Sequence, residues 1–144
     1  MSPQSRWLPV GAWAATIWLF SGEIFGGEGT GLVLLPLLRA LLPGASPATL
    51  VMAHGVVRKL AHVTEFAILA GLLVRALRQP ERSRLRILAG AVALGLVWAV
   101  IDEIHQTRVP GRVGSPVDVG FDGLGVLLGT FGAEAFSSDR RLRA

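Results

Sequence analysis

Residues 102–122 read DEIHQTRVPGRVGSPVDVGFD, a polar island from Asp102 to Asp122 with a long apolar segment on either side. The island holds four of the chain's ten acidic residues (Asp102, Glu103, Asp118, Asp122), one of its three histidines (His105) and two arginines (Arg108, Arg112). Both flanks are apolar enough to enter a bilayer, and charge held that close to lipid is costly, so it is usually kept for function. The stretch therefore predicts two membrane helices and a site where their ends meet.

Composition agrees. Of 144 residues, 51% are hydrophobic and only 17% charged, with a mean hydropathy of +0.55, a balance too apolar for an ordinary soluble domain. The absence of cysteine excludes a disulfide framework and any thiolate metal site. The formal charge of +4 does not indicate nucleic acid. The arginines sit in the gaps between apolar runs, where the positive-inside rule places them, and form no single basic face.

Working outward toward the N-terminus, Leu85 to Ile101 reads as a span, preceded by a loop carrying Arg75, Arg78, Arg82, Arg84 and Arg86 with a helix-breaking Pro80. This is the strongest orientation signal in the chain and places the loop in the cytoplasm. Before it, Ser46-Pro47 reads as an N-cap with proline at the first helical position. A helix from Pro47 to Leu77 is about 46 Å long, so its first turns extend past a hydrocarbon core of about 30 Å. The run Leu32 to Leu42 is too short to span and is interrupted by Pro36 and Arg39; it predicts an interfacial or re-entrant helix after a glycine-rich turn at Gly26, Gly27, Gly29 and Gly31. Trp7 to Phe20, continuing through Ser21-Gly22 toward Ile24-Phe25, has the basic start and small residues (Ala12, Ala14) of a signal peptide. Because those small residues lie inside the apolar run, a retained first span is the better expectation. Toward the C-terminus, Val117 to Phe136 is a further span, followed by Arg140, Arg141 and Arg143. Four spans with both termini cytoplasmic satisfy every basic cluster.

That topology brings three polar helix faces to the extracytoplasmic side. Arg58, His62 and Glu65 are spaced i, i+4, i+7 with Lys59 at the edge of their stripe, and Asp102 and Gln106 are i, i+4 with His105 beside them while Glu103 points about a quarter-turn away. Asp118 and Asp122 share a face that continues as Gly125, Gly129 and Gly132, whose lack of side chain admits a close helix neighbour. Such residues support three chemistries. His62, Glu65, Asp102, Glu103, Asp118 and Asp122 are candidates for general acid or base. His62, Glu65, Asp102, Asp118 and Asp122 have the donor types for a divalent metal, without matching a standard zinc signature. Arg58, Lys59 and Arg112 suit a phosphate or carboxylate headgroup. Against these stand plainer roles: Arg58 and Lys59 as snorkelling cations, and His62 with Glu65, or Asp102 with Gln106, as interhelical packing bonds. Pro110-Gly111 reads as a turn and Glu134 as a residue of the cytoplasmic interface.

The run Lys59-x-x-His62-x-x-Glu65-Phe66, then Asp102-Glu103-x-His105-Gln106, Val109-Pro110-Gly111-Arg112, and Asp118 and Asp122 with Gly125 and Gly129, resembles the VanZ-like family of small bacterial membrane proteins over residues 56–130. The resemblance implies one membrane domain over residues 1–144, all-α with about four transmembrane helices plus the short helix. It also implies a relation to the accessory factor that lowers susceptibility to teicoplanin, a lipid-tailed glycopeptide. Carried across by position, the motif residues are Lys59, His62, Glu65, Asp102, Glu103, Gln106, Arg112, Asp118 and Asp122, with Arg58 and His105 beside them as ligand contacts. Phe66 stands where many relatives have tyrosine or phenylalanine, and Asp122 where some have asparagine.

The expected function is that of a bacterial envelope protein in the cytoplasmic membrane. Its outer pocket would take a lipid-linked cell-wall precursor or lipoglycopeptide, with the bilayer as its other partner. The alternative is a membrane enzyme using the His/Glu/Asp cluster on a lipid headgroup, with or without a metal. A coupled transporter is weakened by the lack of polar residues at the middle of the spans, and lipid-phosphatase chemistry by the lack of a Pro-Ser-Gly-His run. The sequence names no cofactor and no oligomeric state.

Overall fold

The computed structural model describes residues 3–23, 27–110 and 114–142. It is an all-α membrane bundle of five helices: α1 (Pro3–Phe20), α2 (Gly27–Leu41), α3 (Pro47–Leu77), α4 (Arg84–Gln106) and α5 (Pro116–Leu142). Three of them, α3, α4 and α5, are long and apolar enough to cross a membrane, and α2 is a shorter apolar helix. The expected first span is α1, of 18 residues and so about 27 Å long; Gln4, Ser5 and Arg6 dilute its hydropathy at one end.

Local chemistry sets the helix starts. At α3, Ser46 is extended, its hydroxyl accepts from the Thr49 amide, and Pro47 occupies the first turn, where its missing N–H has no helical partner to lose. Ser83 does the same for α4 through the Arg86 amide. One expectation needs correction: Gly27, Gly29 and Gly31 are not a turn but the first turns of α2, while Gly26 lies outside the described residues. Packing on α3 explains it, since Thr30 Oγ1 lies 3.1 Å from His54 Nε2 and Gly31 faces the same imidazole. A tertiary contact outweighs the roughly 1 kcal/mol that each glycine costs a helix.

Helix α3 is the hub and touches all four others, whereas α2 touches only α3 among the described residues. The pairings fix directions. Lys59 meets Asp118, His62 meets Asp122 and Arg78 meets Glu134, so α3 and α5 run parallel. Helix α4 runs antiparallel to both, with Arg84 at Glu134 and Gly95 against Val126. The closest approach is between α3 and α5, where a Cβ on Gly125 would strike the Val63 carbonyl and one on Gly129 the Ala67 carbonyl. Gly132, expected on the same seam, has nothing within 4 Å. Along these contacts lies a core of Ile17, Phe66, Leu69, Ala70, Leu73, Val74, Ala91, Ala99 and Val126. The outer faces are equally apolar: Val97, Val100, Ile104, Leu124, Leu128 and Phe131 are all exposed, as lipid-facing side chains should be.

At one end of the bundle Glu134 accepts from Arg78 at 2.7 Å and stands 3.0 Å from Arg84, which ties the last turn of α3, the first of α4 and the body of α5. That end carries the arginine-rich loop. The polar residues of the sequence island gather at the other. Lys59 and Arg78, the residue that caps α3, are nineteen positions apart, about 28 Å of helix and close to one hydrocarbon thickness.

Substitution tests the seam. Gly129→Ala should lower the unfolding free energy by about 1–3 kcal/mol, because backbone cannot yield as a side chain would. Gly132→Ala should be neutral or gain about 0.5–1 kcal/mol from helix propensity. Thermal or denaturant unfolding of the purified protein in detergent micelles reads both.

Candidate functional site

The stripe of α3 and the first turns of α5 face each other because the glycine seam sets their register. Lys59 Nζ pairs with Asp118 Oδ1 and lies 4.6 Å from the centroid of the Phe121 ring, a cation–π contact. One turn deeper, His62 Nδ1 is 3.3 Å from Asp122 Oδ1, and the Asp122 side chain is only 1% exposed. Asp122 Oδ2 has no hydrogen-bond donor, and Oδ1 has only His62 beside it. From α4 comes Asp102, fully buried. Its Oδ2 accepts two bonds, from Ser21 Oγ at 2.7 Å and Gln106 Nε2 at 2.8 Å, while its Oδ1 is buried without a donor. His62, Asp102 and Asp122 each offer an atom within 4.8 Å of those of the other two.

Beside this cluster is a cavity of about 120 Å³ lined by Gly55, Arg58, Lys59, His62, Gln106, Asp118, Phe121 and Asp122. Pockets that enclose drug-sized ligands run to about 300–1,000 Å³. This one has room for a few waters or a small anionic group, and not for the body of a large ligand. Its wall carries two cations, two carboxylates, an imidazole and an amide, so it can hold an anion on the Arg58/Lys59 side and a proton or cation on the aspartate side.

Six of the residues singled out in the sequence, Arg58, Lys59, His62, Gln106, Asp118 and Asp122, thus line one cavity, with Asp102 directly behind it. Glu65 is half-buried one turn further along α3, and its backbone carbonyl accepts from Trp13 Nε1 at 2.8 Å. Two others are placed elsewhere. Glu103 accepts from the Ser115 amide and so ties the end of α4 to the start of α5. His105 stacks on Trp18 with ring centroids 3.8 Å apart. Arg112 lies outside the described residues. Sequence reasoning missed Ser21 as a partner of the site, since a serine closing an apolar run carries no local signal for a bond to a residue 81 positions away. It also missed Phe121, which reads as one more apolar residue of a span.

A protein-family model described as VanZ/LLP1 matches residues 7–137. No curated protein and no solved structure matches the chain.

The placement of Glu103 separates it from the cavity residues. Glu103→Ala should speed hydrogen exchange at the Ser115 amide and cost about 1–3 kcal/mol of stability from the lost bond to a charged acceptor. Lys59→Ala, whose ion pair is half-exposed, should change stability by less than about 1 kcal/mol. Exchange mass spectrometry and unfolding in micelles distinguish the two.

Proposed function

The chain belongs to the VanZ/LLP1 family, and on that footing we propose that it is an envelope protein of the bacterial cytoplasmic membrane with an outward-facing headgroup pocket. The pocket binds the anionic group of a lipid-linked cell-wall precursor or of a lipid-tailed glycopeptide such as teicoplanin, and so reduces the drug's access to its target. The observation that carries this reading is the pairing of Arg58 and Lys59 at a cavity sized for a headgroup. The same stretch of α3 leaves Val51, Met52 and Val56 exposed. Cations supply charge complementarity to a phosphate or carboxylate, and the apolar side chains suit an acyl or prenyl tail that never enters the cavity. Orientation follows from the arginines around Pro80: with that loop and both termini in the cytoplasm, the cavity opens on the far side of the membrane.

A second reading has its own observation. Two buried carboxylates and an imidazole converge within reach of one another, an arrangement that suits acid–base or metal-assisted chemistry on the bound headgroup. Binding alone tolerates a carboxylate moved by one methylene, whereas chemistry does not. Asp122→Glu and Asp122→Asn should therefore be equally damaging if the protein is an enzyme, and Asp122→Glu clearly milder if it is a binder.

Two experiments test the main reading. Reporter domains fused after Arg84 and after Arg112 should report opposite sides of the membrane; the same side would remove the outward pocket. In cells, the wild-type protein should raise the teicoplanin concentration that stops growth more than it does for vancomycin. Lys59→Ala and Asp122→Asn, matched for abundance in the membrane, should abolish that protection. In purified form, Lys59→Ala should weaken binding to anionic vesicles about 10-fold, the loss of one charge-assisted contact.

A further inference from the structure

We propose that His62, Asp102 and Asp122 form a binding site for one divalent cation of the Zn²⁺ or Mn²⁺ class, at the inner wall of the headgroup cavity. The three residues come from three helices; the two aspartates are among the least exposed polar groups described, Asp102 at 0% and Asp122 at 1%, and His62 is half-buried. Their donor atoms lie within 4.8 Å of one another. For bonds of about 2.1 Å the edges of a tetrahedral site are about 3.4 Å. The 3.3 Å between His62 Nδ1 and Asp122 Oδ1 already matches one edge, and the others, within 4.8 Å, would close to about 3.4 Å by small side-chain rotations.

Two further observations point to a cation in particular. Two carboxylate oxygens of the cluster, Asp102 Oδ1 and Asp122 Oδ2, are buried with no hydrogen-bond donor, and Asp122 Oδ1 faces only the His62 ring nitrogen. A buried carboxylate left so is expensive, and two of them within a few ångströms of each other more so. A single imidazolium offsets only one of the two charges. A divalent ion offsets both and uses the bare oxygens as ligands. Asp102 is moreover presented as ligands usually are: Ser21 and Gln106 occupy Oδ2, fixing the carboxylate plane and leaving Oδ1 to the cluster. Partners of this kind orient metal ligands, and their loss typically costs about 10- to 100-fold in affinity.

The donor set also restricts the ion. An imidazole among the ligands disfavours Mg²⁺ and Ca²⁺, which prefer oxygen alone, and two carboxylates without sulfur disfavour soft ions. With three protein ligands the remaining coordination faces the cavity that His62 and Asp122 line, next to Arg58 and Lys59. An anionic oxygen held by those cations would then lie beside the ion. For that last step the inference rests on the headgroup reading; for cation binding it does not.

The test uses purified, tag-free protein in detergent micelles, stripped with a chelator and titrated separately with Zn²⁺, Mn²⁺, Mg²⁺ and Ca²⁺ by calorimetry. Metal content is measured by mass spectrometry after gel filtration. One equivalent of Zn²⁺ or Mn²⁺ should bind and raise the melting temperature. Asp122→Asn and Asp102→Asn should abolish binding, and Ser21→Ala, which keeps all three ligands, should weaken it by about 10-fold or more. Should either asparagine variant fail to fold by circular dichroism, the Ser21→Ala shift decides: a loss of affinity supports the site and an unchanged affinity overturns it. No saturable binding to wild type overturns it too, as does undiminished binding to a folded Asp102→Asn/Asp122→Asn variant. Anionic-vesicle binding measured in chelator keeps the two readings apart: if it persists while the titrations are flat, the pocket stands and the cation does not.

Discussion

Everything at the polar end of this bundle depends on how closely two backbones approach at the other residues of the same seam. Gly125 and Gly129 leave no room for a Cβ against the carbonyls of Val63 and Ala67, so α5 settles into α3 in one register. That register puts Asp118 opposite Lys59 and Asp122 opposite His62. In lipid, helices gain little from hiding apolar surface from one another, so shape at the contact has to supply the specificity. Glycine supplies it by subtraction. Helix α4 follows the same logic more weakly, with Gly95 seated on the Val126 side chain, and brings Asp102 up to the pair already formed.

The two ends of the bundle use charge differently. At the arginine-rich end Glu134 is shared between Arg78 and Arg84, so its buried carboxylate is matched. At the other end the matching is incomplete: Lys59 and Asp118 pair near the surface, but Asp102 and Asp122 lie below them with one bare oxygen each. Surface pairs contribute little to stability, whereas an unmatched buried carboxylate is a substantial debit. That debit sits on two helices, Asp102 on α4 and Asp122 on α5, and the proposed cation would offset it.

Much of this was legible beforehand, because helix spacing and capping are local. Ser46-Pro47 gave the start of α3, and the i, i+4, i+7 stripe gave Arg58 and His62 a common face that the structure keeps. The Asp118/Asp122 face turned out to point at that stripe, as the glycines following it suggested. What could not be read was which neighbour each polar side chain would choose. Glu103 sits one residue from Asp102, yet it turns to the Ser115 amide. His105 also lies one residue from a pocket residue, Gln106, yet stacks on Trp18. Ser21 becomes relevant only because α1 runs beside α4. Each choice depends on pairing across the bundle, about which periodicity within one helix is silent. The start of α2 failed for the same reason, since its glycines are helical only because α3 is beside them.

The bond from Ser21 to Asp102 has a mechanical side. Helices α3 and α5 cannot slide on each other: a shift of one turn would bring Phe121 to the place of Gly125, against a carbonyl. They form the fixed frame. Helix α1 is held by Val10 and Ile17 in the core and by side-chain contacts through Trp13, Trp18 and Ser21. Lifting α1 away from α4 removes one of the two donors that orient Asp102. The seating of the first helix thus supplies half of the hydrogen bonding that orients the aspartate.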